Sequence, residues 1–204
     1  GAKLLFIIVE FDSFIKNPKE VLGSSGFVVY GGIIAGVLCS MLYCKIKKIN
    51  FLEYFDLIMP EIALAQGFGR IGCYLAGCCY GRVTDSAFGV IFPVGSQAPA
   101  GVKLIPTQLI SAGANIIHMI ILIAVAHFIG YTIRKKDGRK LGLPAGGIGY
   151  LYMILYGIGR FLIEFLRNDY RGEIGILSTS QFISIFFIAA GVVLLIIGKK
   201  KMQS

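Results

Sequence analysis

Apolar residues gather into five long stretches along this chain, at about 27–44, 55–80, 107–132, 146–166 and 177–198. A helix needs roughly 20 such residues to cross a bilayer, and each stretch reaches or approaches that length. A shorter run, Leu4 to Val9, is too brief to span by itself. It reads as the end of a sixth helix within residues 1–11, so a further N-terminal piece is expected before Gly1. Short polar segments rich in Lys/Arg, Asn/Asp and Pro/Gly separate the stretches. The pattern predicts an all-α fold: a polytopic transmembrane helical bundle of five full spans plus an N-terminal partial one, forming a single integral-membrane domain over residues 1–204.

Composition strengthens this reading. Charged residues make up only 15% of the 204 and hydrophobic residues 56%, where a soluble domain carries about a quarter charged residues. Mean hydropathy is +0.77. The net charge of +9 raises the question of nucleic acid, but its distribution answers otherwise. Lys45, Lys47 and Lys48, then Arg134, Lys135, Lys136, Arg139 and Lys140, then Lys199, Lys200 and Lys201 all fall on one side if the five spans alternate. The opposite side holds only Lys16, Lys19, Arg82, Lys103, Arg167 and Arg171. Cytoplasmic loops are the ones enriched in Lys and Arg, so the C-terminus is expected in the cytoplasm. No exposed aromatic residues interleave with these basic residues as a nucleic-acid surface would require.

Three charges stand inside the spans. Arg70 lies in 55–80, and Arg160 and Glu164 lie in 146–166. An ionisable group there costs roughly 2.5–3.5 kcal/mol on insertion scales, which makes each a functional candidate. Arg160 and Glu164 are four residues apart and share a helix face, so a structural ion pair is the plain alternative for them. Arg70 has no acid within a turn. Both arginines fall about 14–15 residues into outward-running helices, or roughly 21–22 Å. Tyr30, near the outer end of 27–44, falls in the same layer. Two guanidiniums at that depth suit a phosphate, whose oxygens match the guanidinium fork. Glycines crowd the layer as well, and the run Gly67 to Gly81 suggests a bent or broken helix around a polar cavity.

Five cysteines, Cys39, Cys44, Cys73, Cys78 and Cys79, are an odd number set mostly in apolar runs, which argues against a disulfide framework. Cys73, Cys78 and Cys79 form a possible thiol site. Adjacent Cys78 and Cys79 are poorly placed to pair with each other. A Cys73–Cys78 bridge, small buried side chains, or a redox or acyl-accepting thiol remain open readings. Zinc would need a fourth ligand that the neighbouring sequence lacks. His118, mid-span, and His127, near the inner end of 107–132, read as packing or interfacial histidines.

The residues Gln66-Gly67-Phe68-Gly69-Arg70-Ile71-Gly72 and Tyr80-Gly81-Arg82-Val83-Thr84-Asp85 resemble a signature of the prolipoprotein diacylglyceryl transferases. So does Leu155-Tyr156-Gly157-Ile158-Gly159-Arg160-Phe161-Leu162-Ile163-Glu164-Phe165-Leu166-Arg167. Pro106-Thr107-Gln108-Leu109 is similar to the family's Pro-Ser-Gln-Leu, and Gly1-Ala2-Lys3 to its Gly-Ala-Arg. The likeness runs in order along essentially the whole chain. It implies seven transmembrane helices in the intact fold, a bacterial plasma-membrane location and an active site facing the extracytoplasmic side.

The implied activity moves the diacylglyceryl group of phosphatidylglycerol onto the lipobox cysteine thiol of a preprolipoprotein signal peptide. Glycerol 1-phosphate leaves, and neither cofactor nor metal is expected. By resemblance, Arg70 and Arg160 hold the headgroup and the departing phosphate, and Glu164 orients Arg160. Tyr30 takes the remaining catalytic position, and Gly31, Gly32, Gln66, Tyr80, Gly81, Gln108 and Tyr156 fall at substrate-binding positions. This sequence departs from the family pattern at several points. Tyr30 stands for the His of a His-Gly-Gly, Cys73 for an Asn, Cys78 for an acidic residue, Ile105 for a His and Ile110-Ser111 for a Tyr-Glu. A non-catalytic phospholipid-binding relative and a transporter are the competing readings.

Overall fold

The computed structural model describes residues 1–24, 26–134, 142–167, 173–174 and 177–203. Lys135, Lys136, Arg139, Lys140 and Arg171, which entered the charge asymmetry, lie outside the described residues. The protein is mostly helical and divides into two units, Gly1–Phe51 and Leu52–Ser204.

The first unit holds α1 (Ala2–Val9), two single-turn-scale helices α2 (Phe11–Lys16) and α3 (Pro18–Gly23), and the long α4 (Val29–Lys47). The polar segment after residue 11 is therefore helical, where the sequence suggested a loop. Pro18 starts α3, a position where its missing N–H is no loss. Lys48 ends α4 in the left-handed region, φ 55°, with its N–H turned back to the carbonyls of Cys44 and Lys45. α1 lies against α4 where Gly31 leaves room: a Cβ there would sit 2.5 Å from the Leu5 Cβ. Lys3 donates to the carbonyl of Ser24 at 2.8 Å and of Gly26 at 3.3 Å, tying α1 to the start of the chain leading into α4.

The second unit consists of α5 (Phe51–Leu75, counted here from Leu52), α6 (Thr107–Arg134), α7 (Gly147–Glu164) and α8 (Thr179–Gln203). Two small antiparallel ribbons accompany them: β1 (Val90–Ile91) with β2 (Lys103–Leu104), and β3 (Glu173–Ile174) with β4 (Leu177–Ser178). Met59 and Ala63 of α5, Leu122 of α6, and Ile148 and Tyr152 of α7 form the main core. α7 and α8 approach closely at glycines. A Cβ on Gly157 would lie 3.0 Å from the Ser184 carbonyl oxygen, and one on Gly191 would lie 2.9 Å from that of Tyr150. Small residues at such crossings let helix backbones pack tightly.

Three helices are long and apolar enough to cross a membrane: Val29–Lys47, Thr107–Phe128 and Thr179–Met202. Their outward faces carry large apolar side chains such as Leu38, Ile117, Ile120, Phe186 and Ile197, all exposed. Contiguous exposed apolar surface of this kind belongs against lipid. α5 carries Glu53, Asp56, Glu61 and Arg70, and α7 carries Arg160 and Glu164, so both are more polar.

The stretch expected as helix to residue 80 stops at Leu75. Gly77 and Cys79 both take positive φ, 67° and 63°, which a continuing helix does not allow. The freed chain runs into a ladder instead. Gly81 bridges Arg167, Val83 bridges Leu104, and the N–H groups of Gly81 and Ile105 reach the carbonyls of Ile105 and Arg82, each at 2.9 Å.

Candidate active site

α7 enters the second unit through a side-chain cap supplied by another helix. The Asp56 carboxylate of α5 accepts the N–H groups of Gly146 at 2.7 Å and Gly149 at 2.9 Å. A carboxylate at a helix N-terminus satisfies donors that have no partner in the helix and meets the positive end of its dipole. Deeper along the same pair of helices, the Tyr152 hydroxyl donates to Gln66 Oε1 at 2.8 Å, and the ring of Tyr152 stacks on that of Tyr156. These contacts fix α7 in register against α5, and with it the face that carries Arg160.

Arg70 of α5 and Arg160 of α7 line one cavity. Ser111, Asn115 and His118 of α6 and Tyr156 and Gly159 of α7 complete its polar and backbone wall. The space is about 20 Å³, room for about one water. Arg160 is held from two sides: a nitrogen of its guanidinium lies 2.8 Å from Glu164 Oε2 and donates to Ser180 Oγ of α8 at 2.7 Å. Glu164 is further approached by Arg167 Nε at 3.8 Å. Glu164 does not line the cavity; it acts on Arg160 from behind.

The sequence pattern does not single out the face that α6 presents. Gln108, Ser111, Asn115 and His118 follow one another at steps of three, four and three residues, a polar stripe on an apolar helix. The last three reach the cavity. Ser111 Oγ donates to the Thr107 carbonyl and Asn115 Nδ2 to the Ser111 carbonyl. Asn115 Oδ1 and His118 Nδ1 are buried without a hydrogen-bond partner among the described residues. Gly159 makes the space for the imidazole: a Cβ there would stand 3.2 Å from His118 Cε1. His118, expected from the sequence to be a packing or interfacial histidine, lines the same cavity as the two arginines.

The other expected site residues distribute as follows. Tyr156 lines the cavity, and Gln66 is joined to the cavity wall through Tyr152. Tyr80 packs with Tyr74 and Val102 against Phe92, Ala98 and Leu104. Gly81 sits where a side chain has no room: a Cβ would fall 2.7 Å from the Leu166 carbonyl oxygen and 2.8 Å from that of Ile105. Gln108 is almost fully buried at 1% exposure. It does not line the cavity; its Nε2 donates to the Cys78 carbonyl at 2.7 Å. Tyr30, Gly31 and Gly32 belong to the first unit, where Tyr30 and Gly32 are exposed and Gly31 is buried in the α1–α4 contact. The five cysteines are thiols rather than disulfides.

Two guanidiniums and an imidazole thus meet at one cavity of a helical membrane protein. Residues 1–197 match the sequence model of the prolipoprotein diacylglyceryl transferases, and the chain belongs to that family. A phosphatidylglycerol–prolipoprotein diacylglyceryl transferase 2 of Clostridium perfringens (strain 13 / Type A) is 47% identical, the match covering 98% of this chain and 74% of the relative. The corresponding transferase of Clostridium tetani (strain Massachusetts / E88) is 45% identical over 94% of this chain and 72% of its own length. That of Finegoldia magna (strain ATCC 29328 / DSM 20472 / WAL 2508) is 37% identical over 98% and 74%.

Proposed function

We propose that this protein transfers the diacylglyceryl group of phosphatidylglycerol to the thiol of a lipobox cysteine in a preprolipoprotein. The relatives named for that reaction support the activity. The shared cavity of Arg70 and Arg160 supports the placement of its chemistry. In the reaction the thiol sulfur attacks the glyceryl carbon that bears the phosphate. A C–S bond forms, the C–O bond to phosphate breaks, and glycerol 1-phosphate departs with the electron pair.

Charge grows on the leaving phosphate as the C–O bond lengthens. Fixed cations at that point, in a site of low dielectric, lower the barrier more than they would in water. Arg70 and Arg160 fill this role, and Glu164 with Ser180 holds the Arg160 fork in place. A thiol reacts as the thiolate, so a base must take its proton. The family's motif histidine is Tyr30 here, and a phenol of ordinary pKa near 10 is a poor base at neutral pH. His118, with a buried ring nitrogen that has no partner among the described residues, takes that proton instead. The lipid headgroup enters on the side of Arg70, which is only half-buried.

The chain works as one integral-membrane transferase domain over residues 1–204, a reading supported by a family match that runs through both units. Its span count is five full crossings, α4 to α8, with α5 and α7 shielding their charges inside the bundle. It sits in the bacterial plasma membrane, C-terminus in the cytoplasm and cavity towards the outer leaflet, as the basic loops and tail argue. The deciding experiment is transfer from radiolabelled phosphatidylglycerol to a lipobox-cysteine peptide by the purified full-length protein. A thioether adduct that disappears on Arg160→Ala supports the assignment. Lipid binding without adduct, for any cysteine peptide, defines a non-catalytic relative; labelled lipid moved across vesicles without adduct defines a transporter.

A further inference from the structure

Just beyond the end of α5, the sulfurs of Cys73, Cys78 and Cys79 lie within 4.8 Å of one another. The reaction described above uses none of them. Three thiolates bound to one ion at the usual metal–sulfur distance of about 2.3 Å stand about 3.8–4.0 Å apart, so a contraction of under about 1 Å converts this cluster into a coordination site.

The backbone brings the three thiols together, and no disulfide joins them. Cys73 is in the last turn of α5, and the N–H of Cys78 folds back onto its carbonyl at 3.1 Å. Gly77 and Cys79 are both in the left-handed region, φ 67° and 63°. Glycine accepts that geometry freely, but a cysteine rarely does. The first turn of α6 then clamps the loop. Gln108 Nε2 donates to the Cys78 carbonyl at 2.7 Å, and Thr107 Oγ1 to the Cys79 carbonyl at 2.9 Å. Both clamping side chains are 1% exposed, while the three cysteines are half-buried and within reach of solvent. A strained residue held by buried hydrogen bonds, with its side chain brought to two like side chains, marks a functional constraint rather than a packing accident.

We propose that Cys73, Cys78 and Cys79 form a binding site for a thiophilic d10 metal ion of the zinc, cadmium and copper(I) class. Soft thiolate ligands select these ions over magnesium, calcium or manganese. Binding releases one proton per thiol, and the resulting centre is anionic: −1 for a divalent ion, −2 for a monovalent one. Three protein ligands leave the fourth position of a tetrahedral ion open, the pattern of a reactive rather than a closed structural site. The proposal does not depend on the transferase reading.

The test uses the full chain, purified in detergent with a phosphine reductant, stripped with a chelator and titrated with cadmium(II) alone. One equivalent is expected to produce sulfur-to-metal charge-transfer absorption. Under the same conditions the peptides bearing Cys73, Cys78 and Cys79 become protected from alkylation, while exposed Cys39 and buried Cys44 keep their labelling. Cys78→Ser is expected to weaken binding at least 100-fold, and Cys39→Ser to leave it unchanged. Because alkylation mapping reads the unaltered protein, a misfolded serine variant does not blunt the result. No charge-transfer band at one equivalent overturns the proposal. So does protection confined to Cys39, or a band that survives Cys78→Ser.

Discussion

Gly81 and Arg167 face each other across an antiparallel bridge, 86 positions apart in the sequence. The N–H of Arg82 reaches the Leu166 carbonyl at 3.0 Å, and Arg82 Nε reaches the Arg167 carbonyl at 3.3 Å. This is where the segment after α5 meets the end of α7. Gly81→Ala forces a Cβ to 2.7 Å from the Leu166 oxygen. We expect a loss of about 1–3 kcal/mol, the usual cost of overpacking. Thermal unfolding in detergent measures it, and an unchanged midpoint would show that the bridge yields easily.

Arg160→Lys keeps the charge but loses the fork that meets Glu164 and Ser180. Transfer at saturating phosphatidylglycerol should fall about 10²–10³-fold, the scale on which one transition-state donor is felt. Glu164→Gln leaves Arg160 in place with weaker steering, so a smaller loss is expected, on the order of 10-fold. Equal losses for the two variants would mean that Glu164 touches substrate itself.

His118→Gln and Tyr30→Phe decide which group takes the thiol proton. Loss of a general base costs about 10²–10⁴ in rate. That loss should appear in His118→Gln and shrink as the assay pH is raised, because hydroxide then supplies the thiolate. Tyr30→Phe should retain most activity. The reverse ranking would return the proton to the phenol.

Asp56→Ala removes the cap that α5 places on α7. The N–H groups of Gly146 and Gly149 lose their acceptor, and about 0.5–2 kcal/mol of stability should go with it. Asp56→Asn, which keeps one acceptor oxygen but sets an NH2 against the second N–H and lacks the charge, should recover only part of that stability. Chemical denaturation of both variants gives the comparison; identical stabilities would assign the cap no energetic role.

Much of this arrangement is legible in the residues themselves. Long apolar runs announce α4 to α8, because a helix in lipid needs little more than length and apolarity. The two arginines stand out because charge is expensive there. His118 does not stand out against that background. A single neutral imidazole costs far less to bury than a guanidinium, and its meaning comes from Ser111 and Asn115 at helical spacing and from Gly159 on a different helix. The contact that Gln108 makes is hidden for a related reason. A motif shows that a polar side chain is required, but not whether it faces a ligand or the Cys78 carbonyl. The end of α5 was set five residues too late, since an apolar run records hydrophobicity and not the reversal of φ at Gly77 and Cys79.

Around Glu164, the supply of negative charge falls short of demand. Its single carboxylate answers both Arg160 and Arg167, while Arg70 waits across the cavity with no acid of its own among the described residues. Such a centre in an apolar layer is electrostatically hungry at rest. Anionic lipid would therefore serve it as a stabiliser as well as a reactant, and the protein should keep its fold better in phosphate-bearing amphiphiles than in sugar-headed detergents.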